Sequence, residues 1–339
     1  GKNYANNGID INLKYDDYEN ITIEDTVVKG VEEGVVGQAN PIPTPAGNYS
    51  SIHSAIAVKA RDDGSYSGTP ATLDGVTIDN VTVADSVNGL RFGEPGVDYS
   101  ESPSGPTDVT ITDSTFQNNE RYHIEDLSGS VDLTTVQSNN DFVGNTIESD
   151  VGIYTSIQAA VDTADSGDTV SVGPGTYNES VSISTANVTL EGPNAGTPGY
   201  TDSRATEAVM QQGVEIAADN VTLNGFEITN NGGNGVKVSD APSNVVITNN
   251  LIADIAGGTA GDQKAFANGI NLQFNTAFEK TSTGTEITNN EITNITTEDM
   301  SVNSNDAIGI QLLPRGNDVE DLRIADNVIS DIDPGDASN

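Results

Sequence analysis

The chain has 339 residues, with 13 Lys and Arg against 51 Asp and Glu, a formal charge of −38, two His, no Cys and no Trp. That excess of carboxylate repels nucleic-acid phosphates and anionic membrane surfaces, so nucleic acid is set aside as a partner and no membrane insertion is expected of this segment. The missing Cys excludes disulfides and thiol chemistry, two His are too few for a convincing zinc or iron site, and no apolar run is long enough to span a bilayer.

In chain order, two short patterns alternate. The first is built round Gly or Ala: Gly8-Ile9-Asp10-Ile11-Asn12-Leu13, then Ala55-Ile56-Ala57-Val58, Gly89-Leu90-Arg91-Phe92, Gly235-Val236-Lys237-Val238, Gly269-Ile270-Asn271-Leu272 and Ile308-Gly309-Ile310-Gln311-Leu312. The second has a polar corner between two alternating strands: Ile23 to Val28, Ile78 to Val83, Ile111 to Phe116, Leu223 to Ile228, Ile247 to Ile252, Ile287 to Ile292 and Ile324 to Ile329. Period-two alternation predicts half-buried strands, and no single copy buries its apolar side alone. Two elements per unit, recurring at intervals of roughly twenty to forty residues, predict a solenoid. The fold class expected is all-β, a right-handed parallel β-helix.

Between Tyr154 and Ile183 the repeat breaks. Ser156 caps a predicted short helix with Ile157, Ala160, Val161 and Ala164 on one face, followed by a Ser166-Gly167-Asp168 turn and a strand-turn-strand over Thr169 to Val181. An amphipathic helix laid over an open β-helix end protects that end. Two tandem β-helix domains are therefore expected, at 1–149 and 150–339, the first lacking its first coils and the second its last. The chain is expected to be part of a longer exported protein.

These repeats resemble the parallel β-helix repeats of carbohydrate-binding proteins and sugar hydrolases, the pectate-lyase-like superfamily. The resemblance covers nearly the whole chain and implies that Asn250, Asn290 and Asn327, which share one repeat position, form an internal asparagine ladder. The wording Ile157-Gln158-Ala159-Ala160, with Gly-Asp-Thr-Val and Gly-Thr-Tyr after it, is similar to the opening of pectin-esterase-like surface domains. The esterase's Gln-Asp pair and Asp-Phe-Ile-Phe-type strand are missing, as are the paired Arg motif of pectate lyases and the Asn-Thr-Asp, Asp-Asp and Gly-His-Gly set of polygalacturonases. One fold carries lyases, hydrolases, epimerases and adhesins, so function must be read from side chains.

In the Gly-containing strands, residues between the apolar ones are expected to face a groove. In the first domain these are Asp10, Asn12, Lys59, Arg61, Arg91, Arg121, His123 and Glu125. Lys59, Arg61, Arg91 and His123 are the candidate catalytic residues, with Arg121 and Glu125 as candidate binding residues. Arg would fork a uronate carboxylate, Lys59, an Arg or His123 would take the proton alpha to it, and a groove carboxylate would anchor Ca²⁺, the one cofactor considered. A glycosidase would instead need two carboxyls about 5 to 9.5 Å apart, for which Asp62, Asp63 and Glu125 are the candidates. The competing reading makes these cations surface ion-pair partners of Asp10, Glu94, Asp98 and Glu125. The second domain offers Asn271, Gln273 and Gln311, with Lys237, for polar binding. Insertions at Gly37 to Ser54, Gly257 to Asn268 and Thr296 to Ala307 are expected to wall the groove, with Tyr4, Tyr15, Tyr49, Tyr66, Tyr99 and Tyr122 as aromatic platforms.

Dense carboxylates keep a surface hydrated in molar salt, where screening shortens to about 3 Å, so a halophilic archaeal source is expected. The function expected is a structural or adhesive module of a secreted or cell-surface protein, filament-forming or glycan-binding, with polysaccharide or copies of itself as partners. The alternative is a polysaccharide lyase, hydrolase or epimerase acting on acidic glycans in the first domain's groove.

Overall fold

The computed structural model describes residues 7–31, 53–62, 64–95, 97–99, 102–257, 265–274, 280–297 and 305–334. The three insertion loops fall largely outside the described residues, as do Tyr4, Tyr49 and Asp63. The chain is all-β with mostly parallel sheets, and it divides into two compact units: 1–146 with 151–159, and 147–150 with 160–339.

In the first unit the strands are β1 (Ile9–Leu13), β2 (Asp17–Glu24), β3 (Val27–Lys29), β4 (Ile56–Ala60), β5 (Thr72–Asp79), β6 (Thr82–Ala84), β7 (Asn88–Phe92), β8 (Thr107–Thr112), β9 (Thr115–Gln117) and β10 (Tyr122–Asp126). Helix α1 (Leu133–Asn139) and β11 (Asp141–Val143) follow. The chain then gives β12 (Ile147–Ser149) to the second unit and returns with β13 (Gly152–Tyr154) to the first. Up to β10 every third strand joins the same sheet, giving β1-β4-β7-β10, β2-β5-β8 and β3-β6-β9, all parallel; β11 then adds parallel to β9 and β13 antiparallel to β10.

Identical registers stack the apolar positions into columns. Ile9, Ile56, Leu90 and Ile124 form one, Ile23, Ile78 and Ile111 a second, and Val28, Val83, Phe116 and Phe142 a third. Their side chains make one core, in which the Phe116 and Phe142 rings stack at 5.1 Å. Alternation puts these residues on one face of each strand, and burial of each large side chain contributes about 1.5–3 kcal/mol.

The second unit repeats the plan with longer columns. Val170, Leu190, Leu223, Ile247, Ile287 and Ile324 align in one sheet. Tyr177, Met210, Ile228, Ile252, Ile292 and Ile329 align in another, and Val181, Val214, Val236, Ile270 and Ile310 in a third. Helix Ile157–Thr163 begins at Ser156, whose hydroxyl accepts from the Ala159 N–H at 3.2 Å, and it buries Ile157, Ala160 and Val161. Helix α1 has no counterpart in the sequence reading. Asp132 caps it by accepting from the Thr135 N–H, and Val136 alone on it is buried.

Corners are made by Asn and Asp in the left-handed region, where a short polar side chain tolerates positive φ. In the Thr-Asn-Asn repeats the first Asn takes this role: Asn249 and Asn289 have φ of 58° and 56°, as does Asp326 at 56°. The second Asn turns inward. Asn250 Nδ2 donates to Asn290 Oδ1 at 3.1 Å and to Leu223 O, and Asn290 Nδ2 donates to Asn327 Oδ1 at 3.0 Å and to Ile247 O. Asn290 Oδ1 and Asn327 Oδ1 also accept from the backbone N–H of Asn250 and Asn290. Each amide thus satisfies buried backbone groups that the corner leaves outside the sheets. The first unit builds the same device from mixed residues: Asn140 Oδ1 accepts from Ser114 N, and Ser114 Oγ accepts from Val81 N.

Other corners stack at the surface with alternating charge. Asp25, Asn80 and Asp113 occupy one ladder, all at positive φ, and Asn80 Nδ2 donates to Asp25 Oδ1 at 2.7 Å. Asp254, Asn294 and Asp331 repeat the arrangement. An amide between two carboxylates replaces repulsion with a hydrogen bond at a strand spacing near 4.8 Å. Asn80→Asp should therefore destabilise the first unit by about 1 kcal/mol at low salt, and this loss should shrink in molar salt. Chemical denaturation at the two salt concentrations measures it, and a salt-independent loss would assign the cost to something other than charge.

Candidate functional site

The outer face of the β1-β4-β7-β10 sheet carries the ionic residues. Cross-strand register places Asp10, Ala57, Arg91 and Glu125 in one row and Asn12 beside Lys59 in another. The row is not an open stripe. Arg91 is 0 % exposed, Glu125 3 %, Tyr122 2 % and Lys59 6 %. An exposed cationic groove was the expectation from local alternation, which reports the face a side chain takes and not what lies over that face.

Lys59 Nζ is 2.8 Å from Glu94 Oε2 and 4.0 Å from Asp10 Oδ1. Arg91 reaches the same Glu94 oxygen only at 3.9 Å, and its Nε, Nη1 and Nη2 are all buried without a hydrogen-bond partner. Arg121 Nε and Glu125 Oε2 are likewise buried and unpartnered. Tyr122 Oη lies 3.0 Å from Ser54 Oγ, and the Tyr122 and Tyr154 rings meet edge-on at 6.1 Å. Burial pushes the Glu125 carboxyl up to about 7, against the opposing pull of Arg91 and Arg121 and the Tyr122 hydroxyl. Burial, with Glu125 adding to it, also raises the Tyr122 hydroxyl.

His123 does not share this face. The position before the first core residue of these strands points inward: a Cβ on Gly8 would lie 2.4 Å from Val28 Cγ1, and Ala55 is wholly buried in the core. His123 fills the equivalent place on β10. Its ring sits 6.4 Å from Phe116 and 5.6 Å from Phe142, with Nδ1 3.2 Å from Asn119 Nδ2. Burial lowers its pKa to about 4, so it is a neutral core residue at pH 7. Counting every second residue back from Glu125 places it wrongly, because the strand register is irregular between Tyr122 and Ile124.

Arg61 also stands apart, its guanidinium 4.9 Å from the Tyr66 ring centre, with Lys14 over the same ring at 5.4 Å and Tyr15 beside it. Such contacts stabilise by about 0.5–1 kcal/mol at exposed sites. Tyr122, expected as an aromatic platform, is buried inside the ionic cluster, whereas Tyr15 is 56 % exposed. Glu94 and Ser54, both off the strand pattern, complete the cluster, and Glu94 was foreseen only as a surface partner.

In the second unit Lys237, Asn271 and Gln311 share one row. Lys237 Nζ and Ser239 Oγ both donate to Glu215 Oε1, at 2.8 and 2.7 Å. Burial pushes Glu215 upward, but these two donors together hold it below the usual carboxylate range. Asn271 and Asn268 are buried and both donate to Asn234 Oδ1 at 3.0 Å, and Asn271 lies 3.4 Å from Gln273 Oε1. Gln311 is half-buried and joins none of these amide bonds. This is a hydrogen-bonded amide patch with one ion pair, Lys237 and Glu215, beside it.

Among the described residues, no three His, Cys, Asp or Glu side chains converge as metal ligands. Two Asp/Asn clusters with oxygen ligands of the kind Ca²⁺ takes, Asp62-Asp63-Gly64 and Asn303-Ser304-Asn305-Asp306, lie partly outside those residues. No helix among the described residues is long and apolar enough to cross a membrane. No protein family, curated protein or solved structure matches the chain.

Proposed function

We propose that each unit is a right-handed parallel β-helix of the pectate-lyase-like kind, and that the chain is a structural or adhesive module of an extracellular or cell-surface protein from a salt-adapted archaeon. The observation that carries this reading is the continuity of the in-register columns, up to six residues deep, with buried amide ladders along them. Parallel crossovers are right-handed in about 98 % of cases, which supports the handedness. A stack of this kind distributes stability along its length and presents a broad, rigid side to a partner. The charge of −38 suits a surface that works in concentrated salt, and the partners that fit are polysaccharide or further copies of the chain.

A second reading, a lyase acting on acidic glycans, draws on one arrangement: the buried Glu125 carboxyl, pushed up to about 7, lies on the strand next to Arg91 with Arg121 in Coulombic range. One assay addresses both readings. The folded chain is incubated in molar salt with acidic and neutral polysaccharides, following binding and the absorbance of unsaturated uronate together. Saturable binding without product is the expected result for an adhesive module. Product formation that Glu125→Gln abolishes would replace that reading with the lyase.

A further inference from the structure

We propose that the first unit holds a single halide-sized anion against Arg91, in a closed site on the outer face of the β4-β7-β10 sheet, with Arg121 within Coulombic reach. The inference is independent of the scaffold and lyase readings. Arg91 is fully buried, and none of its three nitrogens has a hydrogen-bond partner. A guanidinium stays protonated in proteins, so it cannot escape this cost by losing its charge. A wholly buried polar group without partners calls for a bound ion or water to complete it.

The charges around it point to an anion. Glu94 is the one carboxylate in ion-pair range of Arg91 among the described residues, at 3.9 Å, and it is already engaged by Lys59 at 2.8 Å. Glu125 is in Coulombic range but forms no ion pair with Arg91, and burial leaves its carboxyl partly protonated at neutral pH. Arg121 adds a second cation whose field reaches both Glu125 and Tyr122. Lys59 thus takes up Glu94 and Asp10, while the guanidiniums of Arg91 and Arg121 are left with Glu125, whose Oε2 makes no hydrogen bond, in a chain whose overall charge is −38. A neutral water would accept hydrogen bonds from Arg91 but leave that local positive excess uncompensated. An anion supplies both the acceptor and the charge. The burial of Arg91, Tyr122 and Glu125 favours a compact ion over a sugar acid, which would need the face to open.

The test uses crystals of the unmodified chain grown in sodium bromide. An anomalous bromine peak within hydrogen-bonding distance of the Arg91 guanidinium is expected. A water there with no anomalous signal would overturn the proposal, as would a carboxylate from soaked galacturonate binding where bromide does not. In solution, chloride-35 NMR should show excess line broadening with the native chain that falls at least several-fold in Arg91→Met, with folding checked by circular dichroism. Equal broadening from both folded proteins would also overturn it. If Arg91→Met does not fold, the bromide crystal decides alone.

Discussion

Asn290→Ala should be the most damaging single substitution on the polar ladder, costing about 3 kcal/mol or more. The change leaves the Asn250 N–H, the Ile247 carbonyl and Asn327 Oδ1 each without one partner, inside a corner where Asn250 is 0 % exposed. Each unsatisfied buried group costs about 1–3 kcal/mol, and the alanine also leaves a void. Asn294→Ala removes a surface amide from the neighbouring corner and should cost about 1 kcal/mol or less. Urea denaturation of the two variants separates them. Equal losses would mean that the buried ladder contributes no more than the exposed one.

The second large effect is in the pH dependence of the first unit. His123 has a folded pKa near 4, below its usual value of 6.5, so the unfolded chain binds its proton first between those values. Its contribution to stability is present above about pH 6.5 and is lost as the pH falls through 4. Glu125 has the opposite sign. Its folded pKa near 7 lies above the usual 4.5, so its contribution is fully present below about pH 4.5 and is lost as the pH rises through 7. Each shift spans roughly 2.5 units, or about 3 kcal/mol at most, and over the shared window the two slopes largely cancel. Glu125→Gln should therefore make stability rise more steeply from pH 4.5 to 6.5 than in the parent chain, and His123→Phe should make it rise less or fall. Denaturation midpoints at four or five pH values measure this difference. Parallel profiles for the parent and both variants would contradict the placement of these two side chains.

The columns were legible because every strand keeps period two and the Ile-Thr-Asn-Asn copies share one spacing. Asn250, Asn290 and Asn327 could be aligned by eye; Ser114 and Asn140 could not, because they build the same corner bond from unlike residues. His123 was misplaced since strict alternation through Arg121, His123 and Glu125 breaks at an irregularity between Tyr122 and Ile124. The burial of Arg91 was invisible for a different reason. What closes over a sheet face is decided by chain distant in sequence, and Ser54, 68 residues from its partner Tyr122, carries no local mark of that contact. The Asp-Asn alternation at Asp25, Asn80 and Asp113 was present in the sequence but gains meaning only once the three residues are known to stack.

Successive repeats stack in parallel and in register, and in a chain without Cys an introduced pair of cysteines reads that register directly. Thr248 and Thr288 face each other across adjacent strands with their hydroxyl oxygens 3.1 Å apart, although they are 40 residues apart in sequence. Introducing Cys at both places two thiols at a spacing a disulfide accepts, whereas Thr248 and Glu286, two residues out of register, lie roughly 8 Å apart and beyond its reach. Mild oxidation followed by peptide mapping should give rapid, near-complete crosslinking of the 248–288 pair and little of the 248–286 pair. Preferred crosslinking of 248 to 286, or equal rates for both pairs, would contradict the stacked register.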